Sequence, residues 1–148
     1  METVRYIKPG RADMALKAVI SGLTRLGVSV WGSRELAVRG RTSGQWRTTP
    51  VNLLTHDGER YLVAPRGVTQ WVRNIRAAGG GELRVGRRTE TITVTEVADA
   101  DKPAILAAYL RRWKFEVAMF FDGVDAGDET ALRSIASGYP VFRVTTAA

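Results

Sequence analysis

The sequence predicts an α+β domain built on a small, mostly antiparallel β-barrel with flanking helices. Two observations carry that reading. Short apolar or alternating runs, bounded by Gly, Pro, Asn and Asp, recur in pairs that read as hairpins. Segments with apolar residues at helical spacing are inserted among them, but strands and helices do not strictly alternate as a parallel sheet requires. With 148 residues, 45% of them hydrophobic, the chain can fill one compact core. Residues 1–148 show no repeat, low-complexity tract or linker and read as one domain.

The first element is "MALKAVISGLTRL", where Met14, Leu16, Val19, Ile20, Leu23 and Leu26 share one helical face. A helix over about 13–27 follows, with Asp13 as cap and Gly27 as stop. "ELAVRG" is a short strand. "WRTTPVNLLT" is a second, with Pro50 marking an irregular or edge start. "HDG" turns the chain into a third strand, "RYLVAP". "TQWVRNIRAAGGG" is a helix capped by Thr69 and ended by Gly79–Gly81. "ELRVGRRTETITVTEV" is a hairpin turning near Gly86–Arg87, its second strand carrying threonine on one face. Asp101 to Phe121 reads as one helix with Pro103 in its first turn. "DGVDAGDETALRS" reads as loop with at most a turn of helix, and "YPVFRV" is the last strand.

Composition excludes several chemistries. There is no cysteine, hence no disulfide, thiolate nucleophile or zinc–thiolate site. The single histidine, His56, cannot build a multi-histidine metal centre and argues against a Ser–His triad; in "THDGER" it reads as a solvated turn residue. Asp122, Asp125, Asp128 and Glu129 lack the spacing of a calcium loop, so no metal site is expected. The net charge of +7 is mostly arginine, which favours an anionic partner: nucleic acid, acidic lipid or a phosphorylated cofactor. Nucleic acid is the least favoured, because only Trp46 and Trp71 interleave with the basic residues. No run suits a signal peptide or approaches the roughly 20 apolar residues that span a bilayer. A cytoplasmic protein is expected, with peripheral membrane contact through the first helix left open.

The turn "GRTSGQWRTTP" carries more donors than a hairpin needs. Gly40 and Gly44 let the backbone approach a ligand, and Arg41, Thr42, Ser43, Arg47, Thr48 and Thr49 can donate to phosphate or carboxylate oxygens. The alternative is a decorated hairpin with solvated arginines. A second segment, "APRGVTQWVRNIR", places Arg66 and Gly67 after a strand and before a helix start, where unpaired N–H groups favour anions. There Trp71 and Ile75 also fit the core face of the helix.

Together "GRTSGQWRTTPVNLL", "GERYLVAPRG" and "WVRNIRA" resemble the deazaflavin-dependent nitroreductase family, the split-β-barrel oxidoreductases that use coenzyme F420 and abound in actinobacteria. The likeness runs from about Leu36 to Val97, and the preceding helix and the final strand also fit. It implies an FMN-binding split-barrel-like fold and an F420-dependent reductase. Arg41, Thr42 and Ser43 match the family's phosphate- and tail-binding turn. Arg47, Thr48, Thr49, Pro50, Val51 and Asn52 match the strand beside the deazaflavin. Ala64, Pro65, Arg66 and Gly67 match the loop at the ring and phosphate. Gln70, Trp71, Val72, Arg73 and Asn74 match the helix that closes over the cofactor. The chain departs from the family pattern at Thr42, where lysine is common; it differs from the nitroimidazole-activating members in a shorter loop after Ala64 and in lacking their run of tyrosines near the C-terminus.

The implied reaction passes a hydride from the reduced deazaflavin to an electron-poor small molecule: a quinone, an activated enone or a nitroaromatic. No protein nucleophile is needed. Tyr109 and Tyr139 are the candidate proton donors, though each also suits a structural role. Trp113, Phe120 and Phe121 are candidates for an apolar substrate wall or for plain core. The alternative reading is a carrier or sensor of the same fold that binds F420 or FMN with little catalysis. Assembly as monomer or homodimer is left open.

Overall fold

The computed structural model describes Arg5, Ile7 and residues 33–147. The expected first helix, and any membrane contact through it, lies outside the described residues. Six strands are present: β1 (Ser33–Arg39), β2 (Trp46–His56), β3 (Glu59–Val63), β4 (Gly80–Val85), β5 (Arg88–Glu96) and β6 (Val141–Thr146). They close into a barrel in the order β1-β2-β3-β6-β5-β4, every pairing antiparallel. The helices are α1 (Gln70–Ala78), α2 (Lys102–Arg112), the single turn α3 (Lys114–Val117) and α4 (Glu129–Ile135).

Two cores result from the two faces of the sheet. Inside the barrel lie Leu36, Val38, Leu62, Leu83, Ile92, Phe142 and Val144, with Val72 and Ile75 of α1 packed onto them. Two residues beyond Leu62, Ile92 and Val144, on the same face of each strand, stand Arg60, Glu90 and Thr146. Arg60 donates to both Glu90 oxygens, at 2.7 and 2.6 Å, and the Thr146 hydroxyl donates to the same carboxylate. An ionic layer thus follows the apolar one. The second core covers the outer face of β2, β3 and β6: Leu54, Val63 and Val141 lie under Ile105, Leu106, Tyr109, Leu110, Trp113, Phe121 and Leu132.

The structure corrects four local expectations. The stretch from Asp101 to Phe121 is not one helix. It breaks at Trp113 (φ −121°, ψ 33°) into α2, α3 and a 3₁₀ turn over Ala118–Phe121. Tertiary contacts hold the chain beyond the break: the Phe120 carbonyl accepts from Arg5 Nη2 and from the Tyr139 hydroxyl, and Trp113, Val117, Phe120 and Phe121 are all buried. Only Gly79, in the left-handed region at φ 76°, ends α1; Gly80 and Gly81 begin β4, where a Cβ would collide with the carbonyls of Ile92 and Ala37. Residues 129–135 form α4, capped by the Asp128 carboxylate accepting from Ala131 N at 3.0 Å. His56 is the last residue of β2, half-buried, 3.4 Å from Asp57. Among the described residues no helix is long and apolar enough to cross a membrane.

Candidate active site

A cavity of about 810 Å³ opens between the β1–β2 turn, the outer side of β2, the β3–α1 loop and the helical layer. The turn is built by its own glycines. Gly40 N donates to Gln45 O at 2.7 Å, and Gly44, at φ 71°, donates back to Gly40 O at 2.9 Å. Ser43 Oγ accepts from Gln45 N at 3.2 Å. Arg41 fastens the turn to α1: its Nη1 donates to Asn74 Oδ1 at 2.8 Å and to Gln70 Oε1 at 3.0 Å. These partners are neutral amides, so the positive charge of Arg41 is oriented but not cancelled.

The β3–α1 loop forms the next wall. Gly67 sits at φ 86° and donates to Ala64 O at 3.1 Å, folding the chain back before α1 begins. Arg66 is buried, its guanidinium 4.6 Å from the centre of the Phe120 ring, so the loop is joined to the helical layer. Thr69 occupies the N-cap position of α1, yet its side chain makes no cap hydrogen bond; Thr69 Oγ1 is buried without a hydrogen-bond partner among the described residues. It lines the cavity beside the first turn of α1, whose amides have no intrahelical partner. A buried hydroxyl without a partner costs about 1–3 kcal/mol, a cost that a bound acceptor oxygen would remove.

Most expected site residues meet here. Arg41, Thr42, Ser43, Arg47, Thr48, Thr49, Pro50, Val51, Asn52, Ala64, Pro65, Arg66, Gln70, Trp71 and Asn74 line the cavity. Gly67, Val72 and Arg73 do not: Gly67 shapes the loop, Val72 belongs to the barrel core, and Arg73 points outward. Of the candidate acceptor wall, Phe120 reaches the cavity, whereas Trp113 and Phe121 are core. Tyr109 lines the cavity. Tyr139 does not; it is 2% exposed, stacks on Phe121 at 4.6 Å, and gives its proton to the Phe120 carbonyl. Burial pushes its phenol above the usual range.

Ser33, Val38 and Val63 also line the cavity and were not singled out, as do Thr69, expected only as a helix cap, and Val117, which shares the helical spacing of Trp113, Phe120 and Phe121. Ser33 stands opposite Asn52 in the β1–β2 register, a pairing that an alternation argument can find. Trp46, by contrast, faces away, held between Arg39 at 4.1 Å and Arg84 at 5.3 Å on the barrel exterior. The described lining residues include three arginines and no aspartate or glutamate. The wall is therefore basic where phosphate or carboxylate would lie, and apolar at Trp71, Val117 and Phe120.

The model of the F420H(2)-dependent quinone reductase family matches residues 24–119. No curated protein matches the chain. Among solved structures, an F420-H2-dependent reductase superposes with a TM-score of 0.56 at 17% identity, covering 77% of this chain and 94% of that one. A protein described as a domain-swapped dimer gives 0.57 at 18% identity, covering 90% and 96%. The haem storage protein of Vibrio cholerae gives 0.53 at 10% identity, covering 79% and 82%. At these identities the likenesses establish the shared barrel alone.

Proposed function

The chain belongs to the F420H(2)-dependent quinone reductase family, and on that premise we propose that this cavity holds the deazaflavin and presents it to an electron-poor acceptor. The carrying observation is the wall itself: Arg41, Arg47 and Arg66 with no carboxylate among the described lining residues, beside the partnerless Thr69 hydroxyl. These groups suit a ligand with a phosphate and an acidic tail. Arg41, Ser43, Arg47 and the first turn of α1 would hold those anionic parts. Thr48 to Asn52, Ala64, Pro65 and Trp71 would flank the ring.

When bound, F420H2 supplies a hydride. The residues of the chain supply orientation and exclusion of water, the source of most of the rate gain in such a site. A quinone accepts the hydride on one atom and needs one proton to reach the hydroquinone. Solvent or the Tyr109 hydroxyl at the cavity wall would supply that proton; Tyr139 lies outside the cavity. Val117 and Phe120 form the apolar side of the acceptor space. Light scattering decides between the monomer and the homodimer that the sequence allows.

The function is tested anaerobically by mixing the protein and F420H2 with a naphthoquinone, a cyclic enone and a nitroaromatic. Catalysed oxidation of the deazaflavin by at least one acceptor supports a reductase. Binding without turnover across the panel supports the carrier reading instead.

A further inference from the structure

Arg5 lies outside the cavity but touches two of its walls from behind. Its guanidinium donates through Nη1 to the Pro65 carbonyl and through Nη2 to the Phe120 carbonyl, the latter at 2.8 Å. Its own carbonyl accepts from Val68 N at 2.8 Å. Its charge lies 4.3 Å from the centre of the Tyr139 ring, and the Tyr139 hydroxyl donates to the same Phe120 carbonyl. Two glycines make room for it. A Cβ on Gly67 would collide with the Arg5 carbonyl, and one on Gly138 would stand 3.2 Å from Arg5 Cδ. Sixty residues of chain separate Arg5 from Pro65, and 115 separate it from Phe120.

Pro65 and Phe120 line the cavity from different elements, the β3–α1 loop and the 3₁₀ turn after α3. We propose that Arg5 is a positioning residue, a strap that fixes the β3–α1 loop relative to the Phe120 wall and so sets the space in which the acceptor lies against the cofactor. The role in acceptor geometry rests on the function proposed above; the strap itself rests only on the contacts of Arg5. A guanidinium suits the task because its planar fork aims separate N–H groups at two carbonyls while its face packs on an aromatic ring. An ammonium is a compact charge without that shape. The turn at Arg41 and Arg47, proposed above to hold the anionic parts of the cofactor, makes none of these contacts, so most of the cofactor affinity is independent of Arg5.

The test compares Arg5→Ala and Arg5→Lys with Arg60→Ala, which removes a buried-side ion pair away from the cavity. Hydrogen exchange is followed in the cofactor-free protein over residues 64–68 and 118–121, alongside the Kd for F420 and kcat and KM for a naphthoquinone. Arg5→Ala is expected to speed exchange in both segments and to lower kcat/KM by roughly 10- to 100-fold, the scale on which a 1 Å misplacement acts. Its Kd for F420 should stay within about threefold, because phosphate-positioning contacts elsewhere are intact. Arg5→Lys should recover only part of the rate. Arg60→Ala should lower the melting temperature and leave exchange in both segments and kcat/KM unchanged. Should Arg5→Ala fail to fold, Arg5→Lys carries the comparison. Wild-type exchange and kinetics in the Arg5 variants overturn the proposal, as does an equal loss of kcat/KM in Arg60→Ala. If the wild-type protein shows no F420 turnover, the proposed function fails, and unchanged exchange in the Arg5 variants separately overturns the strap.

Discussion

Arg41 and Asn74, thirty-three residues apart, are joined twice: both the backbone N–H and the Nη1 of Arg41 donate to Asn74 Oδ1, at 3.2 and 2.8 Å. One buried amide oxygen thereby fixes both the turn and the charge it carries. Asn74→Ala should leave Arg41 held by Gln70 alone, weakening F420 binding by about 5- to 20-fold, or about 1–2 kcal/mol, while unfolding stability falls by a similar amount. Titration and urea unfolding check the two effects. Asn74→Asp should bind more weakly still, since its carboxylate would neutralise Arg41.

Arg47 lines the cavity as an exposed cation without a carboxylate partner among the described residues. Arg47→Ala should lower affinity for the anionic cofactor and flatten its dependence on salt, because exposed charge pairing is screened within about 10 Å at 0.1 M ionic strength. The check is Kd at low and high sodium chloride in both proteins. An unchanged salt slope would remove Arg47 from the binding set.

The two tyrosines should separate cleanly. Tyr109→Phe is expected to lower kcat with a quinone by about 10²- to 10⁴-fold if its hydroxyl delivers the proton, the range for general acid catalysis. Tyr139→Phe loses a buried hydrogen bond to Phe120 and should cost about 1–2 kcal/mol of stability, without altering the pH dependence of kcat. Solvent isotope effects on the two variants distinguish the roles.

Glu90 provides a pH-dependent element. Hydrogen bonds from Arg60 foremost, with help from Thr146, hold its carboxyl at about 2 instead of the ordinary 4.5, against the opposing effect of burial. A depressed carboxylate stabilises the fold above its unfolded value, and that contribution is lost as pH falls through the folded value. Because the side chain is 32% exposed, solvent screening reduces the contribution to about 1–2 kcal/mol. Glu90→Gln should therefore be less stable than wild type at pH 7, and the gap should close between about pH 4.5 and 2. Urea unfolding at pH 7, 4.5 and 2.5 measures it.

Strand positions were legible because alternation and turn residues are local signals. The Ile92 face is buried and Thr91, Thr93 and Thr95 are exposed, as the sequence pattern implies. The turn donors and the β3–α1 loop were legible as segments, since Gly, Arg and Thr cluster there. The break at Trp113 was not, because the contacts that hold the chain beyond it, from Arg5 and Tyr139 to the Phe120 carbonyl, are distant in sequence. Arg5 was invisible for the same reason: its partners, Pro65, Phe120 and Tyr139, come together only in three dimensions. Nor does spacing tell the cavity-facing Phe120 from the core-facing Phe121.

The most direct test of the whole account is a titration of intrinsic tryptophan fluorescence with oxidised F420 and, separately, with FMN. Trp71 lines the cavity, while Trp46 lies outside it and Trp113 in the second core. Saturable quenching by F420 is expected, largely lost in Trp71→Phe, persisting in Trp46→Phe, and far weaker with FMN. No response to F420, or equal loss of signal in Trp46→Phe and Trp71→Phe, would contradict it.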